Sequence, residues 1–98
     1  MAITTARWDV AEFLDSEEAI FAYIEAAFED GDPGIIRKAL GDVARARGVT
    51  AMSKEAGVSR ETLYKALIED RDPRMSTLMG VVKAMGLRLS VTRESAGA

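Results

Sequence analysis

A chain of 98 residues, 48% hydrophobic and 30% charged, has the composition of one ordinary globular domain and excludes two independent cores, a disordered chain or a membrane bundle. Cysteine and histidine are both absent, which excludes disulfides, thiol nucleophiles, imidazole acid–base catalysis and most structural zinc sites. The formal charge of −3 is unevenly spread: residues 1–32 hold one base, Arg7, against nine acids, a net of −8, while residues 33–98 hold twelve bases against seven acids, a net of +5.

In chain order, residues 3–7 could be extended or frayed, and Asp9 to Leu14 reads as one or two helical turns. No basic, apolar, small-residue leader precedes them, and Glu25 interrupts the most apolar stretch, so a cytoplasmic address is expected. Asp15 and Glu18 have the spacing of a capping box and place a helix start at Ser16. Ile20, Tyr23, Ile24, Ala27 and Phe28 recur at helical spacing, and Gly31 ends the run. Asp32-Pro33 starts a second helix whose inner face is Ile36, Ala39, Leu40, Val43 and Ala44, with Gly48 as its stop. The large aromatics Trp8, Phe13, Tyr23 and Phe28 read as core.

Thr50 is positioned to cap a short helix to Ala56, Gly57 breaks it, and Ser59 is positioned to cap another from Arg60 to about Ile68. Two short helices joined by a glycine turn predict a helix-turn-helix. Asp72-Pro73 then precedes a helix with Met75, Leu78, Met79, Val82 and Met85 on its apolar face, ending at Gly86. Leu87, Leu89 and Val91 alternate with polar residues, which predicts a strand over 87–92, followed by a frayed tail at 93–98. The expected architecture is mainly all-α. An acidic helical extension (1–32) joins a helix-turn-helix unit (33–92) in one compact domain.

The helix-turn-helix needs a small residue at the crossing, glycine in the turn and apolar locks, and Ser53, Gly57, Val58 and Leu63 occupy those places. Its second helix then turns Arg60, Glu61, Tyr64 and Lys65 outward, with Ser59 and Thr62 at its start. In DNA-binding versions those positions meet the major groove, where arginine can read guanine bidentately. Lys54 and Arg74 are candidate phosphate contacts. Gly41 and Gly80 inside helices suggest close packing, and the acid pairs lack calcium-loop spacing, so neither a metal nor another cofactor is expected.

The stretch GVSRETLYKAL at 57–67, Pro73, Leu78 and KAMGLRLSV at 83–91 resemble the Xre/Cro-type, lambda-repressor-like helix-turn-helix of addiction-module antidotes. WDVAEFL, EEAIFAYIEAAFEDGDP and ALGDVARARG are similar to the N-terminal part of HigA-like antidote proteins, so the resemblance covers nearly the whole chain. Ser53 departs from the commoner alanine, and the strand replaces a fifth helix usual in such domains. The resemblance implies a non-enzymatic antitoxin that neutralises a RelE/HigB-like ribonuclease toxin and represses its own operon. A Cro-like regulator without a toxin partner and a protein-binding adaptor are the competing readings.

Partners are expected on three surfaces. Operator DNA meets the second helix of the helix-turn-helix, and the toxin meets the acidic face of Glu18, Glu25 and Glu29. A second copy of the chain pairs through Leu87, Leu89 and Val91, because a lone strand needs a partner.

Overall fold

Side-chain caps and glycines set the element boundaries in the computed structural model, which describes residues 10–69 and 72–94. Val10–Phe13 forms a single 3-10 turn. Helix α1 spans Glu17–Asp30, α2 spans Pro33–Arg47, α3 spans Val49–Ala56, α4 spans Arg60–Tyr64 and α5 spans Met75–Ala84. A π-helical turn, Lys65–Glu69, prolongs α4.

The Ser16 hydroxyl accepts the Ala19 amide at 3.0 Å and opens α1, so the cap is Ser16 itself rather than the Asp15–Glu18 pair. Asp32 accepts the Ile35 amide at 3.0 Å and opens α2, with Pro33 in the first turn as expected. Gly57, at φ 78°, takes the left-handed conformation that ends α3 and reverses the chain into α4. Thr50 is not a cap. Helix α3 begins at Val49, directly after Gly48 and without a side-chain cap, and the Thr50 carbonyl instead accepts the Ser53 hydroxyl at 2.8 Å.

The core draws on all five helices. Leu40 and Val43 of α2, Met52 of α3, Leu63 of α4, Leu67 of the π turn and Val81 of α5 are fully buried, and Ile20, Ile24 and Ala27 of α1 close one side. Tyr23 and Phe28 pack on its edge as expected. Phe13 does not. It is 53% exposed, because the 3-10 turn delivers Leu14 to the core instead. Trp8 and residues 3–7 lie outside the described residues.

Helix α5 lies on α3 in a rotation that differs from the expected apolar face. Of that face Val82 and Met85 are buried and Leu78 packs against the core, but Met75 and Met79 are largely exposed, and Thr77 and Val81 are buried in addition. The cause is Gly80, where a Cβ atom would stand 2.7 Å from the Ala56 carbonyl oxygen. That approach turns the Thr77–Gly80–Val81–Ala84 stripe toward α3 and leaves the two methionines on the flank. Gly41 has the same role more mildly, with its Cβ position 3.3 Å from the Leu67 carbonyl oxygen, which also accepts the Arg37 guanidinium at 2.7 Å.

After Gly86 the chain runs to residue 94 without helix, and no strand ladder occurs among the described residues. Burial nonetheless alternates: Leu87 and Leu89 are half-buried against the core, and Arg88 and Ser90 are exposed. Val91 breaks the expected pattern at 93% exposure.

One charged side chain is buried among the described residues. Asp42 of α2, 3% exposed, accepts the Tyr23 hydroxyl of α1 at 2.5 Å and pairs with Arg45 and Lys38 of its own helix. Burial by itself would raise its carboxyl, but the hydrogen bonds from Tyr23 and Arg45 and the Lys38 charge outweigh that and hold it below its ordinary value. Burial and the bond to Asp42 push the Tyr23 hydroxyl up to about 12.

Gly80→Ala is expected to cost about 1–3 kcal/mol through overpacking, more than the roughly 1 kcal/mol that helix propensity returns. Gly41→Ala, which meets its neighbour at a longer distance, should fall within about 1 kcal/mol of wild type. Urea midpoints compare them, and a fully stable Gly80→Ala protein would show that the α3–α5 contact yields without cost.

The Asp42 cluster also sets a pH dependence. Asp42 is more acidic folded than unfolded, so its contribution is full above the ordinary carboxylate value of 3.8 and is lost as pH falls through the lower folded value. Tyr23 has the opposite sign, contributing fully below pH 10 and losing that contribution between 10 and about 12. Tyr23→Phe should therefore cost about 1–3 kcal/mol near neutrality, with a shallower loss on both the acid and the alkaline side. Denaturant unfolding across pH checks this, and superimposable profiles would remove the hydrogen bond from the stability of the fold.

Candidate functional site

The outward side of α4 begins at its cap. The Ser59 hydroxyl accepts the Thr62 amide at 3.0 Å and donates to the Thr62 hydroxyl at 2.8 Å, which fixes the first turn of the helix. Leu63 is the inward anchor at 1% exposure. With that residue fixed inward, Arg60, Glu61, Thr62, Tyr64 and Lys65 are all exposed, as the sequence predicts. Tyr64 is 40% exposed, enough to present a ring and hydroxyl to a partner. Lys65 pairs with Glu61 at 3.5 Å, one helical turn apart, so part of its charge is compensated locally.

Ser53 is buried on α3, where a small residue lets the next helix approach, and Val58 is half-buried in the turn. Lys54 is exposed in the last turn of α3, and Arg74 is exposed at the N-cap of α5. The two bases thus belong to different elements from the α4 residues, and both are free of burial.

Helix α1 presents the opposite chemistry. Glu17, Glu18, Glu25, Glu29 and Asp30 are exposed along it, and the helix contains no base. Tyr23 ties it to Asp42, while Ile20, Ile24 and Ala27 hold it on the core, so Glu18, Glu25 and Glu29 face outward at spacings of one and two turns. Phe21 lies on this same face and is 48% exposed. The sequence reading left it out, although its position three residues after Glu18 and four before Glu25 puts it on the acidic side of the helix rather than on the Ile20–Ile24 side.

Beside Phe21, a groove of 460 Å³ runs between α1 and residues 86–90. Ile24, Phe28, Val82, Leu87 and Leu89 supply its apolar surface, with Glu25 and Arg88 also lining it. Two of the three residues expected to pair copies of the chain, Leu87 and Leu89, therefore line this groove, and Val91 does not. Among the described residues no group of three acidic residues could hold a metal ion, and no helix is long and apolar enough to cross a membrane.

Known proteins resemble this chain over most of its length. The family described as "Probable addiction module antidote protein" matches residues 4–93. A protein of Haemophilus influenzae, described only as an uncharacterized protein, is 44% identical over 84 residues, spanning 86% of this chain and 87% of that one. No solved structure matches. With the match running from before the 3-10 turn to beyond Leu89, the chain belongs to the family of probable addiction module antidote proteins.

Proposed function

We propose that the protein is the antitoxin of a type II toxin–antitoxin module, which binds and neutralises a RelE/HigB-like ribonuclease toxin and represses its own operon. Membership of an antidote family supports the antitoxin role and implies a toxin partner. The observation that carries the finer reading is the difference in charge between elements: α1 exposes five acids and no base, whereas residues 60–65 expose two bases, Arg60 and Lys65, against one acid, Glu61, together with Thr62 and Tyr64.

On this reading α3 and α4 form the helix-turn-helix, α4 enters the major groove, and Ser59, Arg60, Glu61, Thr62, Tyr64 and Lys65 form its reading face. Lys54 and Arg74 contact phosphate. Residues 1–32 act as the acidic extension that meets the toxin through Glu18, Glu25 and Glu29, and residues 33–92 act as the DNA-binding unit. One such helix sees few base pairs, so two copies related by a dyad read half-sites about 10 base pairs apart or a multiple of that. The dimer forms through residues 87–92, whose backbone has no ladder partner among the described residues.

Operator binding tests the first half. Arg60→Ala should lose about 1–3 kcal/mol and relax preference at one base, and wild-type affinity should fall as salt rises. Leu89→Asp should yield a monomer with weakened operator binding. Salt-independent binding or no binding would favour the adaptor reading, and a monomeric wild-type protein at micromolar concentration in sedimentation would end the dimer.

Toxin binding tests the second half. The triple variant Glu18→Lys, Glu25→Lys, Glu29→Lys should associate with the toxin more slowly, most of all at low salt, while its operator binding is retained. Unaltered association in a folded variant would place the toxin elsewhere. A regulator with no toxin partner at all would bind the operator and nothing encoded beside it.

A further inference from the structure

An acid on a helix face that meets a polyanion is repelled unless it finds a donor. Glu61 lies in the first turn of α4, on the same outward side as Arg60 and Lys65, and its side chain is 79% exposed. A carboxylate only accepts hydrogen bonds, and phosphate offers it none. In the major groove the donors open to it are the amino groups of cytosine and adenine. Within the protein its partner is Lys65, whose Nζ stands 3.5 Å from Oε2, one helical turn further along. Both side chains are well exposed, so this pair contributes little to the stability of the fold.

The backbone holds the two side chains in register. The Ser59 cap fixes the first turn, Leu63 anchors the helix inward, and the Lys65 amide donates to the Glu61 carbonyl where the π turn begins. Lys65 itself keeps α-helical angles, φ −64° and ψ −41°, so the wider π spacing does not carry its side chain off the Glu61 row. With Oε2 on the ammonium, Glu61 keeps Oε1 as an acceptor, and Lys65 keeps further N–H donors beside it.

We infer that Glu61 and Lys65 act as one unit that reads a cytosine–guanine pair, the carboxylate accepting from cytosine N4 and the ammonium donating to guanine O6 and N7. The inference rests on the operator reading proposed above and deepens it, naming the base pair that one row of α4 selects. The major-groove edge of that pair runs donor, acceptor, acceptor, the complement of a carboxylate beside an ammonium. An adenine–thymine pair also carries an amino donor, but a single acceptor stands on either side of it, and on the thymine side a methyl group follows. That methyl strips water from the ammonium without replacing it. The carboxylate in turn is neutralised by its neighbour, which weakens the repulsion that phosphate exerts on a lone acid.

The experiment uses the full chain and duplexes from the DNA immediately upstream of its own gene, changed one base pair at a time. Fluorescence anisotropy at two salt concentrations follows binding, and thermal melting checks folding. Wild type is expected to lose about ten-fold in affinity when one cytosine–guanine pair of a half-site is replaced. Glu61→Gln should move the preference at that position to adenine–thymine, because a glutamine amide bonds adenine N6 and N7 together. Lys65→Met should flatten the preference at the same pair, and adding Glu61→Ala to it should flatten it no further, as for two residues that act together. Affinity should still fall with salt in every variant, since Lys54 and Arg74 are untouched. An acid that serves only the helix N-terminus would move the melting temperature and leave base preference alone. If Glu61→Ala tightens binding to every duplex alike and keeps the wild-type preferences, the reading unit is overturned and the operator reading stands. Effects of Glu61 and Lys65 at different base pairs, or a wild type that binds duplex without base preference, overturn it as well. A wild-type protein that binds none of the duplexes overturns the operator reading and this inference with it.

Discussion

The contact on which the remaining geometry depends is the close approach of α5 to α3 at Gly80 and Ala56. A side chain at position 80 would meet a backbone carbonyl, and backbone cannot move aside as a flexible side chain can. The rotation of α5 is therefore fixed by a missing side chain rather than by its most hydrophobic stripe. That rotation buries Val81 and Val82, exposes Met75 and Met79, and determines where the chain leaves the helix at Gly86. Residues 87–90, and with them one wall of the groove, follow from it. On the other side of the contact, α3 ends at Ala56, so the same approach fixes the start of the Gly57 turn that launches α4.

Asp42 does for α1 what Gly80 does for α5. An amphipathic helix on a small core can slide or rotate by a residue with little change in buried area, because apolar contact is non-directional. A hydrogen bond from Tyr23 to a buried carboxylate is directional, and a rotated α1 would leave that carboxylate short of a partner, at a cost of about 1–3 kcal/mol or more for a charged group. The acidic face is oriented by this bond together with Ile20, Ile24 and Ala27. The helix that is richest in acids is thus positioned by an acid on its neighbour.

The elements were legible in the sequence wherever a local group decides them. Ser16, Asp32 and Ser59 each accept an amide three residues on, and Gly31, Gly48, Gly57 and Gly86 all have positive φ at the ends of helices. What was not legible depends on distant partners. Asp42 lies four residues after Lys38 and three before Arg45, a spacing that reads as an exposed ion-pair ladder, and only Tyr23, nineteen residues away, shows that it is buried. On α5 the expected face holds at Leu78, Val82 and Met85 and fails at Met75 and Met79, because periodicity counts hydrophobic residues and cannot see a carbonyl opposite Gly80. The exposed face of α4 was read correctly for a complementary reason: Leu63 is its single strong inward anchor, and a five-residue helix leaves little freedom around it.

Exposed apolar residues on this chain divide into two kinds, and the difference bears on how much meaning each carries. Ile35, 45% exposed near the start of α2, belongs with the scattered surface apolars that any small domain shows, since there is not enough polar surface to cover a core of this size. Phe21 is different in kind because Ile24, Phe28, Leu87 and Leu89 extend it into one surface across two segments far apart in the chain. The bundle buries the Ile20, Ile24 and Ala27 stripe of α1 and leaves a second stripe, through Phe21 and Phe28, at its edge. The residues after Gly86 half-cover that second stripe with two leucines and then turn out to solvent at Val91. A core-directed design would have placed a polar residue at position 21, as at Glu18 and Glu25 on either side of it. An aromatic ring kept between two carboxylates gives the α1 face both a charge that acts at a distance and an apolar contact that acts only on close approach.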